Sequence, residues 1–172
     1  MLVQHMQLPD GRVYSGECQA GMPDGVGTAL YPSGNGYTGT WKEGTVYKGA
    51  TFNFAPHGTG EMRWLNGTSY SGSWEHGSME GKGVSKMGAR TVHRGSYLNG
   101  MRHGAGRVLE RNGTVYTGGW HKNNKQGKGR EVAQDGTVFK GRWLNNRKHG
   151  KASTTTTEGT VVLSTWRNGQ QI

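Results

Sequence analysis

Aromatic residues and glycines alternate along this chain with a period of two, and the whole pattern returns every 23 residues. In one well-formed stretch, Tyr116, Gly118 and Trp120 occupy every second position, with Thr117 and Gly119 between them. Alternation of this kind places successive side chains on opposite faces of a strand. The pattern therefore predicts short strands that carry rings and glycines on one face.

The 23-residue pattern predicts a repeat architecture in which each short unit packs on the next. Full units begin at 14, 47, 70, 93, 116 and 139, and partial units occupy 4–13, 37–46 and 162–172. The unit that starts at Tyr37 is interrupted, because Tyr47 restarts the pattern ten residues later. Either a half-unit is inserted there or one turn carries ten additional residues. We interpret residues 1–172 as a single repeat domain.

Each unit is predicted to be a two-stranded hairpin. Dipeptides such as Asn112-Gly113 and Asp135-Gly136 close the units, and Asn-Gly or Asp-Gly between alternating segments is a strong hairpin signal. No segment has helical periodicity. The predicted fold is all-β, an elongated single-layer antiparallel ribbon of stacked β-hairpins.

Composition supports a thin ribbon and argues against a thick globular core. The chain has 32 glycines in 172 residues, and only 31% of its residues are hydrophobic. Units that pack only on their neighbours need no thick core. The sequence has no run of about 18 apolar residues and no signal peptide pattern at its start. A single cysteine, Cys18, excludes an intramolecular disulfide, so we expect a cytoplasmic protein.

The stretch from Tyr70 to Gly83 reads Tyr-x-Gly-x-Trp-x-x-Gly-x-x-x-Gly-x-Gly, and this string, which Asn-Gly or Asp-Gly closes in other units, resembles the MORN (membrane occupation and recognition nexus) repeat. The resemblance extends over about 4–169 and implies the hairpin ribbon. It leaves function open, because such repeats occur in junctophilins, phosphatidylinositol-phosphate kinases, radial-spoke proteins, histone methyltransferases and protist scaffolds. In character the chain is most similar to the cytoskeletal scaffold members, which implies self-association.

Positive charge is concentrated in the second half of the chain. Residues 1–86 contain six Lys/Arg and seven Asp/Glu, whereas residues 87–172 contain fifteen Lys/Arg and four Asp/Glu, so the halves carry −1 and +11. Either this charge binds an anionic partner or it keeps an exposed ribbon soluble. The residues predicted to form an anion-binding ridge along one edge are Arg102, Lys125, Lys128, Arg147, Lys148 and Lys151.

The C-terminal end is predicted to mediate self-association. Val161 to Arg167 would form an open edge strand, and Val162, Leu163 and Trp166 would present apolar surface that the threonine-rich last unit leaves bare. A two-fold antiparallel homodimer would bury this surface. The alternative is that Trp166 folds back as a terminal cap.

Several kinds of chemistry are not expected. No nucleophile and base recur as a pair, so no catalytic residue is predicted and the chain is not expected to be an enzyme. The segment from Gly77 to Gly83 has the wrong spacing for a phosphate-binding loop, and no helix follows it. No metal site or cofactor is predicted. Nucleic acid is not expected as a partner, because the rings alternate onto the packed face.

These observations lead to three functional hypotheses. The first is a non-enzymatic scaffold that binds an acidic, cytoskeletal protein and self-associates at the cytoskeleton, at a cytoskeleton-associated membrane, or in a cilium or flagellum. The second is a peripheral module that binds anionic phospholipid. The third is the regulatory repeat region of a larger enzyme.

Overall fold

The computed structural model is a single antiparallel sheet, and it describes residues 1–8, 11–30, 36–42, 45–52, 55–64, 67–88 and 91–172. Sixteen strands in these ranges pair in sequence order. They are β1 Leu2–Gln7, β2 Val13–Gln19, β3 Met22–Leu30, β4 Gly36–Lys42, β5 Thr45–Phe52, β6 Ala55–Arg63, β7 Ser69–Glu75, β8 Ser78–Met87, β9 Thr91–Leu98, β10 Met101–Leu109, β11 Val115–His121, β12 Asn124–Val132, β13 Val138–Leu144, β14 Arg147–Thr155, β15 Val161–Arg167 and β16 Gln170–Gln171.

The all-β hairpin ribbon predicted from the sequence is confirmed. The described ranges contain strands and turns and no helix. The predicted partial units 4–13 and 37–46 each include residues outside the described ranges.

The hairpin of β11 and β12 shows how a unit is built. Its turn residues Lys122 and Asn123 both have positive φ, at 47° and 69°, as a two-residue hairpin turn requires. The register shifts between Gly118 and Trp120, so β12 bulges there, and Gly127 takes a φ of 78°. Such a bulge bends the strand and re-aims its side chains.

The extra residues before Tyr47 form an additional strand, so the phase break is an inserted half-unit. Strand β4 pairs with β3 as the first strand of a unit normally pairs with the previous unit. Its register with β5 runs only from Thr40–Tyr47 to Lys42–Thr45. Strand β5 then begins a new hairpin with β6.

This half-unit moves the aromatic layer from one side of the sheet to the other. Trp41 lies opposite Val46, Val46 lies opposite Arg63, and Arg63 lies opposite Ser69. Directly paired residues share a face, so Trp41 is on the side of Ser69 and opposite to Tyr70. The rings of Tyr14 and Trp41 therefore lie on one side, and the rings from β7 onwards lie on the other.

The position of Arg12 agrees with this reversal. Arg12 is buried and lies over the Trp41 ring at 5.6 Å. It lines one cavity together with Arg63, Ser71 and Val84, which lie on the side of the sheet away from the Tyr70 ring. Arg12 therefore lies near the side of β6–β8 opposite to the Tyr70 ring.

The end of the sheet differs from the sequence prediction. Strand β16 pairs with Trp166 and Arg167, and the backbone N–H of Ile172 donates to the Thr165 carbonyl at 2.9 Å. The edge predicted to be open from Val161 to Arg167 is therefore closed at its C-terminal end. The reason is the turn at Asn168 and Gly169, whose positive φ values return the chain onto β15.

Candidate interaction site on the two faces of the sheet

From β7 onwards, one side of the sheet carries the aromatic rings, and we call this side the ring face. Tyr116 lies edge-to-face against Trp143 at 4.9 Å, and Trp143 lies in the same way against Phe139 at 5.0 Å. The Tyr116 hydroxyl donates to the Gly119 carbonyl at 3.0 Å. Burial raises the pKa of Tyr116 to about 12, so the hydroxyl remains a donor. Edge-to-face contacts between rings are favourable, and here they continue from one unit to the next as a single aromatic layer.

Three long cations lie on the ring face and are partnered within the chain. Arg102 lies over Trp120 at 4.3 Å, Lys125 over Tyr116 at 4.8 Å, and Lys148 over Phe139 at 4.1 Å. Their positions follow from the register, because each lies directly opposite a ring of the neighbouring strand, as Lys148 lies opposite Trp143.

Two carboxylates pair with these ring-face lysines. Lys125 contacts Glu110 at 2.8 Å and Glu131 at 3.2 Å, and Lys148 contacts Glu131 at 3.1 Å. The Lys125 side chain is only 12% exposed. Arg102 is half-buried, and burial lowers the pKa of its guanidinium. The charge on the ring face is therefore used largely to hold the units together.

The opposite side of β9–β15 carries exposed cations, and we call it the open face. One row crosses five strands: Arg94 lies opposite Arg107, Arg107 opposite Thr117, Thr117 opposite Arg130, and Arg130 opposite Lys140. All four cations in this row are exposed. Adjacent strands are ~4.8 Å apart, so the row is ~19 Å long.

A second row of cations runs parallel to the first on the same face. Lys128 lies opposite Arg142 in β13, and Lys151 lies opposite Thr165 in β15. Lys128, Arg142 and Lys151 line a shallow depression of about 540 Å³ together with Arg130 and Lys140. We call the two rows together the cation grid. Its residues are Arg94, Arg107, Lys128, Arg130, Lys140, Arg142 and Lys151.

No Asp or Glu shares this face within strands β9–β15. Of the four acidic residues in 91–172, Glu110 and Glu131 pair with ring-face lysines. Asp135 and Glu158 lie in turns, where Asp135 accepts a hydrogen bond from the Thr137 backbone and Glu158 one from the Thr156 hydroxyl. The grid is thus a field of one sign on an exposed surface.

The family model of the MORN repeat matches residues 14–36, 70–86, 93–114, 116–138 and 139–161, which is more than half of the chain. The chain belongs to the MORN-repeat family. The match omits the unit at 47, which follows the inserted half-unit. No curated protein matches the chain in sequence.

Among solved structures, the MORN chain is similar in fold to the TCP domain of SAS-4 (dCPAP) of Drosophila melanogaster. That domain was solved in complex with a proline-rich motif of Ana2 (dSTIL). The two share 10% sequence identity with a TM-score of 0.49, over 96% of this chain and 90% of that chain.

The six cations predicted as one ridge lie on both faces of the MORN sheet. Arg102, Lys125 and Lys148 lie on the ring face against aromatic rings. Lys128 and Lys151 belong to the cation grid, and the exposed Arg147 lies opposite Leu144 at the turn edge of the open face. Alternation along the strands explains the split, because Lys125 and Lys128 of β12 differ by an odd number of positions, as do Lys148 and Lys151 of β14. Anion binding by these residues remains a prediction.

Sequence reasoning missed the other five residues of the grid. Each follows a ring position or one of the paired glycines: Arg94 follows His93, and Arg130 follows Gly129. The period of two that assigns the rings to one face assigns these cations to the other. The period of two was therefore sufficient to predict these five residues, but the prediction considered mainly the cations in and next to the turns.

The three residues predicted for self-association also divide between faces. Val162 and Trp166 lie on the ring face, and Leu163 lies on the open face with 79% of its surface exposed. Trp166 packs edge-to-face on Phe139 at 5.6 Å, and Lys148 lies over it at 5.3 Å. Trp166 therefore extends the aromatic layer, while Leu163 and Val162 remain exposed apolar surface.

Two further observations concern the residues that the structure describes. No three His, Cys, Asp or Glu side chains among them are close enough together to hold a metal ion, and Cys18 is buried in the N-terminal aromatic cluster. The described ranges contain no helix capable of spanning a bilayer.

Proposed function

We propose that this MORN chain is a non-enzymatic scaffold that binds an acidic protein partner through its C-terminal units and self-associates. Its place of action would be the cytoplasm, at the cytoskeleton or a cytoskeleton-associated membrane, including that of a cilium or flagellum. Family membership supports the role of an interaction module.

The observation that carries the proposal is the cation grid. Seven exposed Lys and Arg side chains lie on one face without a carboxylate among them. An isolated field of one sign repels itself, so a partner of opposite charge gains steering and affinity from it. The ring-face cations differ, because Lys125 and Lys148 already pair with Glu131.

A second candidate is a peripheral module that binds anionic phospholipid. The exposure of the grid favours it, since exposed cations in two rows can approach lipid head groups at many points. Each Lys or Arg near an anionic membrane contributes about 1 kcal/mol. Such binding needs no apolar anchor. The two proposals therefore assign different partners to the same surface, the open face.

Binding assays with two different ligands, each at low and high salt, distinguish the candidates. The purified chain is incubated either with an acidic polypeptide or with vesicles of phosphatidylserine and phosphatidylcholine. Because exposed charges are screened over ~8 Å at physiological ionic strength, binding should weaken steeply as salt rises. Binding to the acidic polypeptide but not to the vesicles supports the protein scaffold, whereas the reverse supports the lipid module. Binding to neither at low salt contradicts both.

A further inference from the structure

An apolar row runs beside the first cation row on the open face. Val92 lies opposite Leu109, Leu109 opposite Val115, Val115 opposite Val132, and Val132 opposite Val138. Each of these residues is two positions from the cation row, as Leu109 is from Arg107, so the two rows are ~6.8 Å apart. Leu109 is 38% exposed. The open face thus presents an apolar stripe and cationic stripes that run perpendicular to the strands.

The spacing of the cation row is close to the pitch of an α-helix laid across the strands. Neighbouring members such as Arg94 and Arg107, or Arg130 and Lys140, are one strand apart, ~4.8 Å. A helix repeats its side-chain direction every 5.4 Å, so carboxylates at i, i+3 and i+4 recur at nearly this distance. A row ~19 Å long corresponds to roughly 13 helical residues at 1.5 Å each.

The parallel stripes discriminate between kinds of partner. A membrane or a nucleic acid needs positive charge but no ordered apolar row beside it. Bases would also need exposed rings for stacking, yet the Tyr, Trp and Phe residues of β9–β15, such as Tyr116 and Trp143, lie on the ring face. An extended peptide would pair with a sheet edge and not with a face. An amphipathic helix with one acidic and one apolar stripe could pair its carboxylates with the cation row and pack its apolar side chains on the apolar row.

We propose that the open face of β9–β15 docks an acidic amphipathic helix of a partner protein, lying across the strands. Its carboxylates pair with Arg94, Arg107, Arg130 and Lys140, and its apolar stripe packs on the row from Val92 to Val138. This inference rests on the proposed function, because it specifies how the acidic partner is recognised.

The test uses two synthetic peptides and the full chain. One peptide carries Glu and Leu at helical spacing so that each type forms its own stripe, and the other is a scrambled isomer of the same composition. Fluorescence anisotropy measures affinity, and circular dichroism measures helix formation on binding. The patterned peptide should bind about tenfold more tightly than its isomer and should become helical when bound.

Protein variants locate the site. Arg130→Gln combined with Lys140→Gln removes two charges from the grid, and Arg111→Gln combined with Lys122→Asn removes two charges from exposed turns outside it. The grid variant should lose about tenfold in affinity for the patterned peptide, and the turn variant should stay within about twofold. Val138→Thr keeps the strand shape and should weaken the patterned peptide about threefold without affecting the scrambled isomer.

Each alternative outcome has one meaning. If both peptides bind equally while the grid variant loses affinity, the helix proposal is wrong and the acidic-partner proposal stands. Equal losses in the grid and turn variants would mean that only net charge matters, which overturns the site. If neither peptide binds at low salt, the proposed function itself fails. Vesicle binding that depends on the grid, without peptide binding, would assign the face to lipid.

Discussion

At the scale of single residues, asparagines in the turns bind neighbouring units together. The Asn146 N–H donates to the Lys125 carbonyl at 3.1 Å, and the Asn146 Oδ1 accepts from the Lys125 N–H at 2.7 Å. Asn123 makes the same pair of contacts with Arg102. At the equivalent Gly100 only the backbone bond to Met79 is present. Asparagine tolerates the positive φ of this site and adds a second hydrogen bond.

Replacing Asn146 with glycine should therefore destabilise the chain even though glycine suits the backbone. Asn146→Gly removes the side-chain bond to Lys125 and should lower the free energy of unfolding by about 1 kcal/mol, measured by denaturant titration. The reverse change, Gly100→Asn, has open space around its Cβ and should raise that free energy by a few tenths to about 1 kcal/mol. No change in either variant would contradict a side-chain contribution.

His93 occupies a ring position and is held neutral by its surroundings. It is 1% exposed, and burial lowers its pKa from 6.5 to about 4, with the charge of Arg102 acting in the same direction. The Tyr97 hydroxyl donates to Ser85 at 2.8 Å, so its oxygen accepts from Nδ1 of His93 at 2.9 Å. The buried Nε2 has no hydrogen-bond partner among the described residues. A proton added there would be desolvated and unpaired.

The folded chain should therefore lose stability as pH falls. Above pH 6.5 His93 is neutral in both states, but between pH 6.5 and about 4 the unfolded state binds a proton that the folded state does not. The free energy of unfolding should fall by about 2 kcal/mol between pH 7.5 and 5, relative to the His93→Tyr variant. Denaturation at several pH values measures this difference, and parallel curves would contradict it. NMR titration of the His93 ring provides an independent value.

At the scale of elements, paired glycines allow the rings to lie against the backbone. A Cβ built on Gly129 would lie 2.6 Å from the Tyr116 ring, and one on Gly83 would lie 2.4 Å from the Tyr70 ring. The last full unit differs, because Ala152 replaces the second glycine and the ring is Phe139. Phe139 has no hydroxyl to bond to a carbonyl, as Tyr116 does, so its ring is not held in the same way.

Gly129→Ala should destabilise the chain by about 1–3 kcal/mol, because the added methyl group overpacks the Tyr116 ring. Combining it with Tyr116→Phe should cost less than the sum of the two single changes, since the ring then resembles that of the Phe139 unit. Thermal and denaturant unfolding of the four proteins of this cycle provide the measurement. Strict additivity would show that the hydroxyl does not determine the space beside Gly129.

The sequence predicted the hairpins well, because period two and the Asn-Gly and Asp-Gly turns are local signals. Register across the inserted half-unit is not local. The reversal of the aromatic layer depends on Trp41 lying opposite Val46, and a shift of one residue would have kept the rings on one side. The closing strand β16 was missed because it has only two residues. Both features depend on pairing between strands, which the sequence does not display.

At the scale of the whole molecule, the positive charge separates into two populations. Lys125 and Lys148 are paired with Glu131 over the ring face, whereas Lys128, Lys151 and the rest of the grid face solvent. The charge difference between the halves of the chain could be predicted from composition. The assignment of each cation to a face could also be predicted from the period of two, because the bulges in β12 and β14 each add two residues and preserve the alternation.

Self-association is also a property of the whole molecule. Val162 and Leu163 expose apolar surface on the two faces of β15, next to a partly open edge. We predict that the chain forms a dimer in sedimentation experiments and that truncation after Gly159 abolishes it. Trp166→Ala should weaken the dimer less, because Trp166 packs mainly on Phe139. A monomer at high micromolar concentration, or a truncated chain that dimerises equally well, would contradict this interface.

The claim that the open face binds the acidic partner is tested most directly by observing the lysines themselves. Reductive methylation with ¹³C-formaldehyde labels every lysine without changing its charge, and NMR follows each methyl signal as an acidic peptide is added. We predict that the signals of Lys128, Lys140 and Lys151 shift with the added peptide, while those of Lys125 and Lys148 stay in place. Shifts of Lys125 and Lys148 with unmoved open-face signals would place the partner on the ring face and contradict the account.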